Sequence, residues 1–260
     1  MLKGLYTAYT GMVNEQHRMD TLTNNLANSA TVGYKKEGAT SQSFHDVLAY
    51  KIKDTSETPN LARKLGGMSM GVKIGENYTD YSEGPLKKTD NTYDLAITGS
   101  GFFAIEFTNK SGITSTKYTR DGNFTLTQEG YLVTKDGDFV LNDRGEQIKL
   151  NPALTSEILE DGSIYQDGRR VVKIGITDFE DYNYLEHYGE NLFQTVEGAT
   201  EKNSDARVVS GVLEHSNVQV VKEMVEMINV SRAYETNQKV VQTYDGSLDI
   251  AVNQLGRLNG

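Results

Sequence analysis

The chain has 260 residues, enough for one large or two ordinary domains with a real core, and no cysteine, which excludes disulfides and thiolate metal sites. Hydrophobic residues make up 37% of the chain and the net charge is -10, yet lysine and arginine nowhere cluster as phosphate binding requires, so we expect no nucleic-acid partner. No apolar run approaches the roughly 18 residues of a membrane span and no secretory signal pattern is visible, so we expect neither membrane insertion nor a signal peptide.

An amphipathic helix is predicted at the N-terminus. Its apolar residues recur at alternating steps of three and four, the spacing of a coiled-coil seam. About 27 helical residues would span roughly 40 Å. Two polar seam positions would leave this helix marginal in isolation. The seam comprises Leu2, Leu5, Tyr9, Met12, Gln16, Met19, Thr23 and Leu26.

Turn residues follow this helix and lead into a polar segment. Asn28 and Gly33 tolerate positive φ, so they favour a capped helix end. The segment 38–71 has mixed and mostly polar signals, apart from an amphipathic patch from Phe44 to Ile52. It predicts a loosely ordered connector.

From residue 72 to 210 the apolar period becomes two, which predicts a central antiparallel β domain. Turn dipeptides separate short β-prone runs, and an Asp-Gly pair in such a place is a strong hairpin signal. We therefore expect a hairpin at Asp121-Gly122 with positive φ at Gly122. The turn dipeptides are Asp121-Gly122, Glu129-Gly130, Asp136-Gly137, Arg144-Gly145, Asp161-Gly162 and Asp167-Gly168.

A second long helix is predicted for the last part of the chain. Ser216, Asn217 and Gln219 form a start signal, since a serine with glutamine three residues on can cap free backbone amides. About 41 residues from this start would span roughly 60 Å, which requires a partner helix in this chain or in another copy. The seam comprises Met227, Val230, Tyr234, Asn237, Val241, Tyr244, Leu248, Ala251, Leu255 and Leu258.

The net charge lies almost entirely in the middle of the chain. Residues 1–40 carry +1 and residues 216–260 carry -1. Near-neutral helical ends can pack against copies of themselves, while an acidic middle stays solvated.

Two glycine motifs resemble catalytic or nucleotide-binding patterns. Gly67-Met68-Ser69-Met70-Gly71 has nucleophile-elbow spacing, and His187 or His215 would complete a triad. An elbow needs a helix after the serine, whereas Val72-Lys73-Ile74 reads as a strand. Gly99-Ser100-Gly101 is likewise followed by strand-like alternation instead of a phosphate-binding helix. Neither motif supports an enzyme.

Other clusters predict neither a metal nor a ligand. Asp136, Asp138, Asn142 and Asp143 lack the spacing of a calcium loop, and the four histidines have no ligand spacing. We expect no catalytic residue, no metal and no cofactor. Buried packing or a protein contact explains one aromatic group, which comprises Phe179, Tyr182, Tyr184, Tyr188 and Phe193.

Five segments in order carry a family resemblance over nearly the whole chain. They are NNLANSATVGYKK (Asn24 to Lys36), SEGPLKKTDNTYDLAITGSGFF (Ser82 to Phe103), YTRDGNF (Tyr118 to Phe124), ENLF (Glu190 to Phe193) and SNVQVVKEMVEMINVSRAYETNQK (Ser216 to Lys239). Together they resemble the axial proteins of the bacterial flagellum, the rod and hook proteins. The chain departs from the family pattern at Ser29-Ala30 and Val32, where the family varies.

The resemblance implies an α+β fold whose N- and C-terminal helices pair as a coiled coil, with a central antiparallel all-β domain outside that pair. The implied domains are 1–37 and 211–260 for the coiled-coil helices, 38–71 for the connector and 72–210 for the β domain.

It also implies a structural subunit of the basal-body rod that polymerises into a helical tube and transmits torque from motor to hook. The implied partners are copies of itself, neighbouring rod and hook proteins, and the flagellar type III export apparatus, through which the chain would leave the cytoplasm. The expected assembly interface comprises Leu2, Leu5, Tyr9, Met12, Met19, Leu26, Asn28, Thr31, Gly33, Tyr34, Met227, Val230, Tyr234, Val241, Tyr244, Leu248, Leu255 and Leu258.

Within this family the length is nearest to the distal rod protein, with a proximal rod protein or a hook-type axial protein as alternatives. A different class of function is a soluble hydrolase using Ser69, or a binding module with a helical dimerisation arm. The size distribution of the protein with and without its terminal helices separates these two classes.

Overall fold

A computed structural model describes residues 2–44, 47–51, 63–69, 71–109, 112–189 and 191–255, with side chains at 2, 47–51, 63–68 and 254–255 outside the description. Leu258 of the predicted seam and Met70 of the glycine motif lie outside these residues. Helix α1 is Leu2–Ala27 and helix α2 is Val220–Ile250, followed by a π-helical turn at Ala251–Leu255.

The strands and one short 3-10 helix, Tyr182–Tyr184, lie between the two helices. In chain order the strands are β1 (Glu37–Ser43), β2 (Val47–Lys51), β3 (Arg63–Met68), β4 (Val72–Thr79), β5 (Leu86–Lys88), β6 (Leu95–Thr98), β7 (Phe102–Thr108), β8 (Thr114–Thr119), β9 (Phe124–Leu126), β10 (Leu132–Thr134), β11 (Phe139–Val140), β12 (Ser156–Ile158), β13 (Ser163–Gln166), β14 (Arg169–Lys173), β15 (Ile176–Phe179), β16 (Leu185–Tyr188), β17 (Leu192–Thr195), β18 (Glu201–Asn203), β19 (Arg207–Ser210) and β20 (Val212–Glu214). The chain is therefore α+β, with a helix towards each end and antiparallel strands between them.

The chain divides into two compact units. The first unit contains α1, strands β1 to β4, and α2. The second unit contains residues 27–36 and 80–219, and so the remaining strands. The turn after α1, which we assigned with the first helix, groups with the second unit. The domain boundaries at 37, 71 and 210 stay predictions.

In the first unit, strands β1 to β3 occupy described parts of the segment expected as a connector. β1 pairs antiparallel with β4, and β2 with β3. Asn14 Nδ2 on α1 donates to Ser41 Oγ at 2.9 Å, while Thr40 Oγ1 accepts from the Glu76 N–H at 2.8 Å. Polar side chains thus hold β1 to α1 and to β4, in addition to the β1–β4 backbone ladder, and the polar composition of β1 does not reveal a strand.

Helix α2 begins at Val220 and not at Ser216 as predicted. The Asn217 side chain is engaged elsewhere in the second unit, where Oδ1 accepts from the Lys36 N–H and Nδ2 donates to the Asp80 carbonyl, each at 2.8 Å. These bonds keep the residues before Val220 out of the helix. The predicted capping box is therefore wrong.

In the second unit, the described residues form a large antiparallel sheet. Its order is β16-β17-β8-β7-β11-β10-β9, and β15 joins it by pairing with β7 and β18. The predicted antiparallel β domain is thus confirmed. One core cluster contains Leu95, Ile97, Phe103, Phe124, Leu132, Val140, Ile148, Leu150, Ile158, Ile164, Ile174 and Val208. A second contains Phe102, Ala104, Tyr118, Leu141, Phe179, Leu185 and Phe193.

Most predicted turn glycines lie in hairpins. Gly130 and Gly137 join β9 to β10 and β10 to β11, with φ of 89° and 94°. Gly162 and Gly168 join β12 to β13 and β13 to β14, with φ of 79° and 70°. Each turn needs the left-handed backbone that glycine adopts without strain.

The Asp121-Gly122 hairpin prediction is wrong. In the described pairings β8 bonds to β7 and β17, whereas β9 bonds to β10, so the strands on either side of this dipeptide do not pair with each other. The φ of Gly122 also lies outside the left-handed region. Instead the Leu95 N–H donates to the Gly122 carbonyl at 2.9 Å, and a β-carbon at Gly122 would overlap the Leu95 carbonyl. The glycine is needed for close backbone approach.

The predicted aromatic group is only partly a packing cluster. Phe179 and Phe193 are buried in the second core cluster, and Tyr182 packs against it. Tyr184 and Tyr188 are exposed. Tyr188 instead carries Lys117 Nζ over its ring, 4.3 Å from the centroid.

Candidate assembly surface and buried charge cluster

The predicted seam of α2 is its least exposed face. Val230 is 1% exposed, and every other seam side chain in the described part of α2 and its π-helical turn is half-buried. These residues are Met227, Tyr234, Asn237, Val241, Tyr244, Leu248 and Ala251. The seven-residue pattern therefore identifies the face that packs within the first unit.

Helix α1 meets this face through contacts spaced by seven residues. A β-carbon at Gly4 would overlap the Tyr244 ring, and one at Gly11 would lie 3.0 Å from Asn237 Nδ2. Further along α1, the Arg18 guanidinium contacts Glu226 at 2.5 Å. Ascending positions on α1 thus meet descending positions on α2, and the two helices are antiparallel in register.

The seam of α1 is less complete than predicted. Leu5, Met12, Met19 and Leu26 are half-buried, but Tyr9 is 55% exposed, and Gln16 and Thr23 are exposed as well. Tyr9 shares an outward face with two residues that the seam did not include, Tyr6 and Val13. Helix α1 therefore carries an apolar outer face in addition to its seam.

Helix α2 also has an apolar outer face, over its first turns. Val221 is 76% exposed, and Met224, Val225 and Ile228 continue the stripe at steps of three, one and three residues. At 100° per residue these side chains lie opposite the seam. These four residues are not part of the predicted seam, although their spacing could have indicated a second apolar stripe.

Four predicted interface residues belong to the second unit. Thr31 Oγ1 bonds to Asn28 Oδ1 at 3.2 Å in the turn after α1. Gly33 has φ of 70°, and a β-carbon there would overlap the backbone of Arg120 and its neighbour. Tyr34 is buried, with its ring edge-on to His187 at 6.3 Å between centroids. Gly33 and Tyr34 therefore lie in the interior of this unit.

A buried charge cluster lies next to this turn. Lys35 and Glu214 are each 1% exposed and Arg120 is 3% exposed. Lys35 Nζ contacts Glu214 Oε1 at 2.5 Å, and Arg120 Nη1 contacts Glu214 Oε2 at 3.3 Å. One carboxylate thus holds two cations.

Backbone groups complete the cluster. The Gly84 N–H donates to Glu214 Oε1 at 2.9 Å, Lys35 Nζ donates to the Ser82 carbonyl at 2.7 Å, and Arg120 Nη2 donates to the Gly99 carbonyl at 2.8 Å. Burial lowers the pKa of Lys35, and the Glu214 carboxylate opposes that effect. Because removing charges from water is costly, the cluster depends on these bonds.

The cluster joins the sequence segments that carry the family resemblance. Lys35 comes from the first segment, Ser82 from the second and Arg120 from the third, while Glu214 lies two residues before the last. Sequence reasoning missed it because Glu214 is 179 residues from Lys35 and 94 from Arg120. The one visible signal was charge inside otherwise apolar or small-residue segments.

The catalytic-looking motifs do not take catalytic form. Ser69 is followed by strand β4, so the helix that a nucleophile elbow requires is replaced by a strand. The Gly99-Ser100-Gly101 motif leads into strand β7. Among the described residues no group of acidic and histidine side chains could hold a metal ion. No helix in the described part of the chain is long and apolar enough to cross a membrane.

A helix with a heptad-spaced apolar seam towards each end of the sequence, and an antiparallel β unit between the two helices, are typical of axial structural subunits. Residues 5–35 match the family described as Flagella basal body rod protein. Residues 96–168 match the Flagellar hook protein FlgE/F/G D1 domain, and residues 209–255 match the Flagellar basal body rod FlgEFG protein C-terminal.

Full-length relatives agree with these matches. The chain is 34% identical over 266 residues to the flagellar basal-body rod protein FlgF of Caulobacter vibrioides, covering 100% of both chains. It is 34% identical over 275 residues to the rod protein FlgG of Bacillus subtilis, covering 97% of this chain and 99% of the relative. It is 30% identical over 272 residues to the flagellar hook-basal body complex protein FlhO of Bacillus subtilis, covering 99% and 100%.

The chain therefore belongs to the flagellar basal-body rod protein family. It is a structural subunit of the flagellar basal body and not an enzyme.

Proposed function

We propose that α1 and α2 pair as an antiparallel two-stranded coiled coil, and that this pair is the axial element through which the subunit polymerises. The observation that carries the proposal is the register between the helices. Gly4 lies against Tyr244 and Gly11 against Asn237, so a seven-residue step on one helix matches a seven-residue step on the other. The glycines leave room for the larger side chains that face them.

Paired cysteines test this register, because the chain has none of its own. A Gly11→Cys/Asn237→Cys chain should form an internal disulfide on oxidation, since the Gly11 β-carbon position lies 3.5 Å from Asn237 Cγ. The matched control is Gly11→Cys/Tyr244→Cys, whose second thiol lies about 10 Å further along α2. Equal disulfide yields from the two chains would contradict the pairing.

The predicted assembly residues act in two ways under this proposal. The seam residues of α2 hold it to α1, which meets them through Gly4 and Gly11, one position before the predicted Leu5 and Met12. The residues Asn28, Thr31, Gly33 and Tyr34 shape the turn that follows α1. Neighbouring copies and other axial proteins then pack on the outer faces of the pair and form a helical tube that transmits torque from motor to hook. A heterologous contact repeated by rotation and translation produces such a tube.

Removal of the terminal helices tests polymerisation. Cells that supply only residues 27–219 should export no assembling subunit and build no complete rod, whereas the full chain should restore swimming. Swimming with the shortened chain would contradict the role of the helices.

We also infer export through the flagellar type III apparatus, on the family resemblance. A strain lacking the flagellar export gate should retain the chain in the cytoplasm, and its appearance outside such cells would contradict the inference. The distal subtype is a proposal from chain length. Relatives with two different rod-protein names match at the same 34% identity, so identity does not separate the subtypes.

A further inference from the structure

The two apolar outer stripes lie at different levels of the helix pair. By the register of Gly4 with Tyr244 and Gly11 with Asn237, Val221–Ile228 lie alongside about residues 20–27 of α1. The α1 stripe, Tyr6 to Val13, is about 14 residues away, or about 21 Å along the axis. Each copy therefore presents one stripe towards each end of the pair.

We propose that the α1 stripe of one copy docks on the α2 stripe of the next copy, an inference that rests on the proposed function and specifies its contact. A neighbour whose helix pair runs in the same direction is then displaced by about 21 Å. This displacement places Val13 of one copy against Val221 of the next. Since each copy keeps one stripe free at either end of the contact, the interaction is head-to-tail and does not close on itself.

The chemistry of the stripes fits a second copy of this chain. Tyrosine and methionine side chains are enriched in protein interfaces, and methionine adapts its shape to an aromatic partner. Charge does not oppose the contact: the first unit, which contains both stripes, has a net charge of -1, against -9 for the second unit. Apolar side chains this exposed over adjacent turns are a liability unless a neighbour covers them.

Cysteine pairs in purified basal bodies test the contact. Valine and cysteine are similar in size and polarity, so Val13→Cys and Val221→Cys preserve the character of each stripe. Within one copy these positions are about 21 Å apart and cannot form a disulfide. Oxidation of basal bodies built from the Val13→Cys/Val221→Cys chain should therefore convert the monomer band into a ladder of dimers, trimers and longer species.

Matched variants separate this contact from other arrangements. The Val13→Cys chain alone and the Val221→Cys chain alone should give no ladder, but basal bodies containing both chains should give dimers. The Val13→Cys/Gln242→Cys chain should give monomers. Gln242 is exposed, and the proposed displacement places it far from Val13 of the neighbouring copy.

The outcomes distinguish this proposal from the proposed function. Dimers from a single variant would show a two-fold contact and overturn the head-to-tail stripe. Complete rods whose double variant stays monomeric after oxidation would overturn the stripe while leaving the rod function intact. Absence of the unmodified chain from purified basal bodies would overturn both.

Discussion

The three charges of Lys35, Arg120 and Glu214 make the second unit sensitive to which charge is removed. Glu214→Gln leaves two cations buried beside each other, and should cost about 3–5 kcal/mol of unfolding free energy. Lys35→Met should cost clearly less, because it leaves a neutral Arg120–Glu214 pair. Urea unfolding monitored by far-UV circular dichroism measures both, with the wild-type chain as reference. A larger loss for Lys35→Met than for Glu214→Gln would contradict this assignment.

Substitutions at Gly122 test whether glycine is required there for a close backbone contact or for a left-handed backbone conformation. Because a β-carbon would overlap the Leu95 carbonyl, Gly122→Asn should destabilise the protein as much as Gly122→Ala, each by more than about 1 kcal/mol. Gly145 is the control, since its φ is 77° and no heavy atom lies within 4 Å of a β-carbon there. Asparagine tolerates left-handed φ better than alanine, so Gly145→Asn should be milder than Gly145→Ala. Thermal melts of the four variants give the comparison, and a Gly122→Asn chain that melts like wild type would refute the contact.

Residue chemistry was predictable from sequence only where the cause is local. Gly137 and Gly162 could be assigned because an acidic residue before glycine between β-prone runs specifies a turn by itself. Gly122 has the same local pattern, but glycine is required there because its backbone lies against that of Leu95, 27 positions earlier in the sequence. Lys35 and Glu214 are 179 residues apart in the sequence, and the local residue pattern around each does not indicate that the two side chains pair.

At the scale of elements, the seam and the outer stripe of α2 should respond differently to the same truncation. Val230 is buried, so Val230→Ala should destabilise the helical unit by about 2 kcal/mol. Val225 is 54% exposed on the other face, and Val225→Ala should stay within about 0.5 kcal/mol. The helical signal in a far-UV circular dichroism melt reports the difference. Similar losses for both variants would mean that the seam does not pack within the chain.

The helices were predictable as elements because their seams repeat over many turns. Helix α1 was expected to end near Asn28 and ends at Ala27. The start of α2 was not predictable, because the Asn217 side chain forms hydrogen bonds with the backbone of Lys36 and Asp80, which are far away in sequence. Strand β1 was not predicted for a related reason: it is held by pairing with β4 and by polar contacts, and its own composition resembles a loop. The start of β4, at Val72 to Ile74, was predicted as a strand.

At the scale of the whole molecule, the boundary of the β unit decides whether it folds well alone. A fragment of residues 66–210, which begins six residues before the sequence-based β domain of 72–210, contains Arg120 but lacks both Lys35 and Glu214. A fragment of residues 27–219 contains all three and all the residues of the second unit. We expect the longer fragment to be β-rich and to melt cooperatively, and the shorter one to be less stable by at least about 3 kcal/mol.

Arg120→Met distinguishes the charge cluster from a simple loss of chain in these two fragments. In residues 27–219 the substitution removes one of the two cations on Glu214 but leaves the Lys35–Glu214 pair, so it should destabilise the fold by less than the cost of about 3–5 kcal/mol expected for Glu214→Gln. In residues 66–210 the arginine has already lost its carboxylate, so the same substitution should cost much less. Urea unfolding of the four fragments measures the two differences. Equal costs in both fragments would show that the shorter one fails for reasons other than the cluster, and the charge-based boundary of the unit would then be wrong.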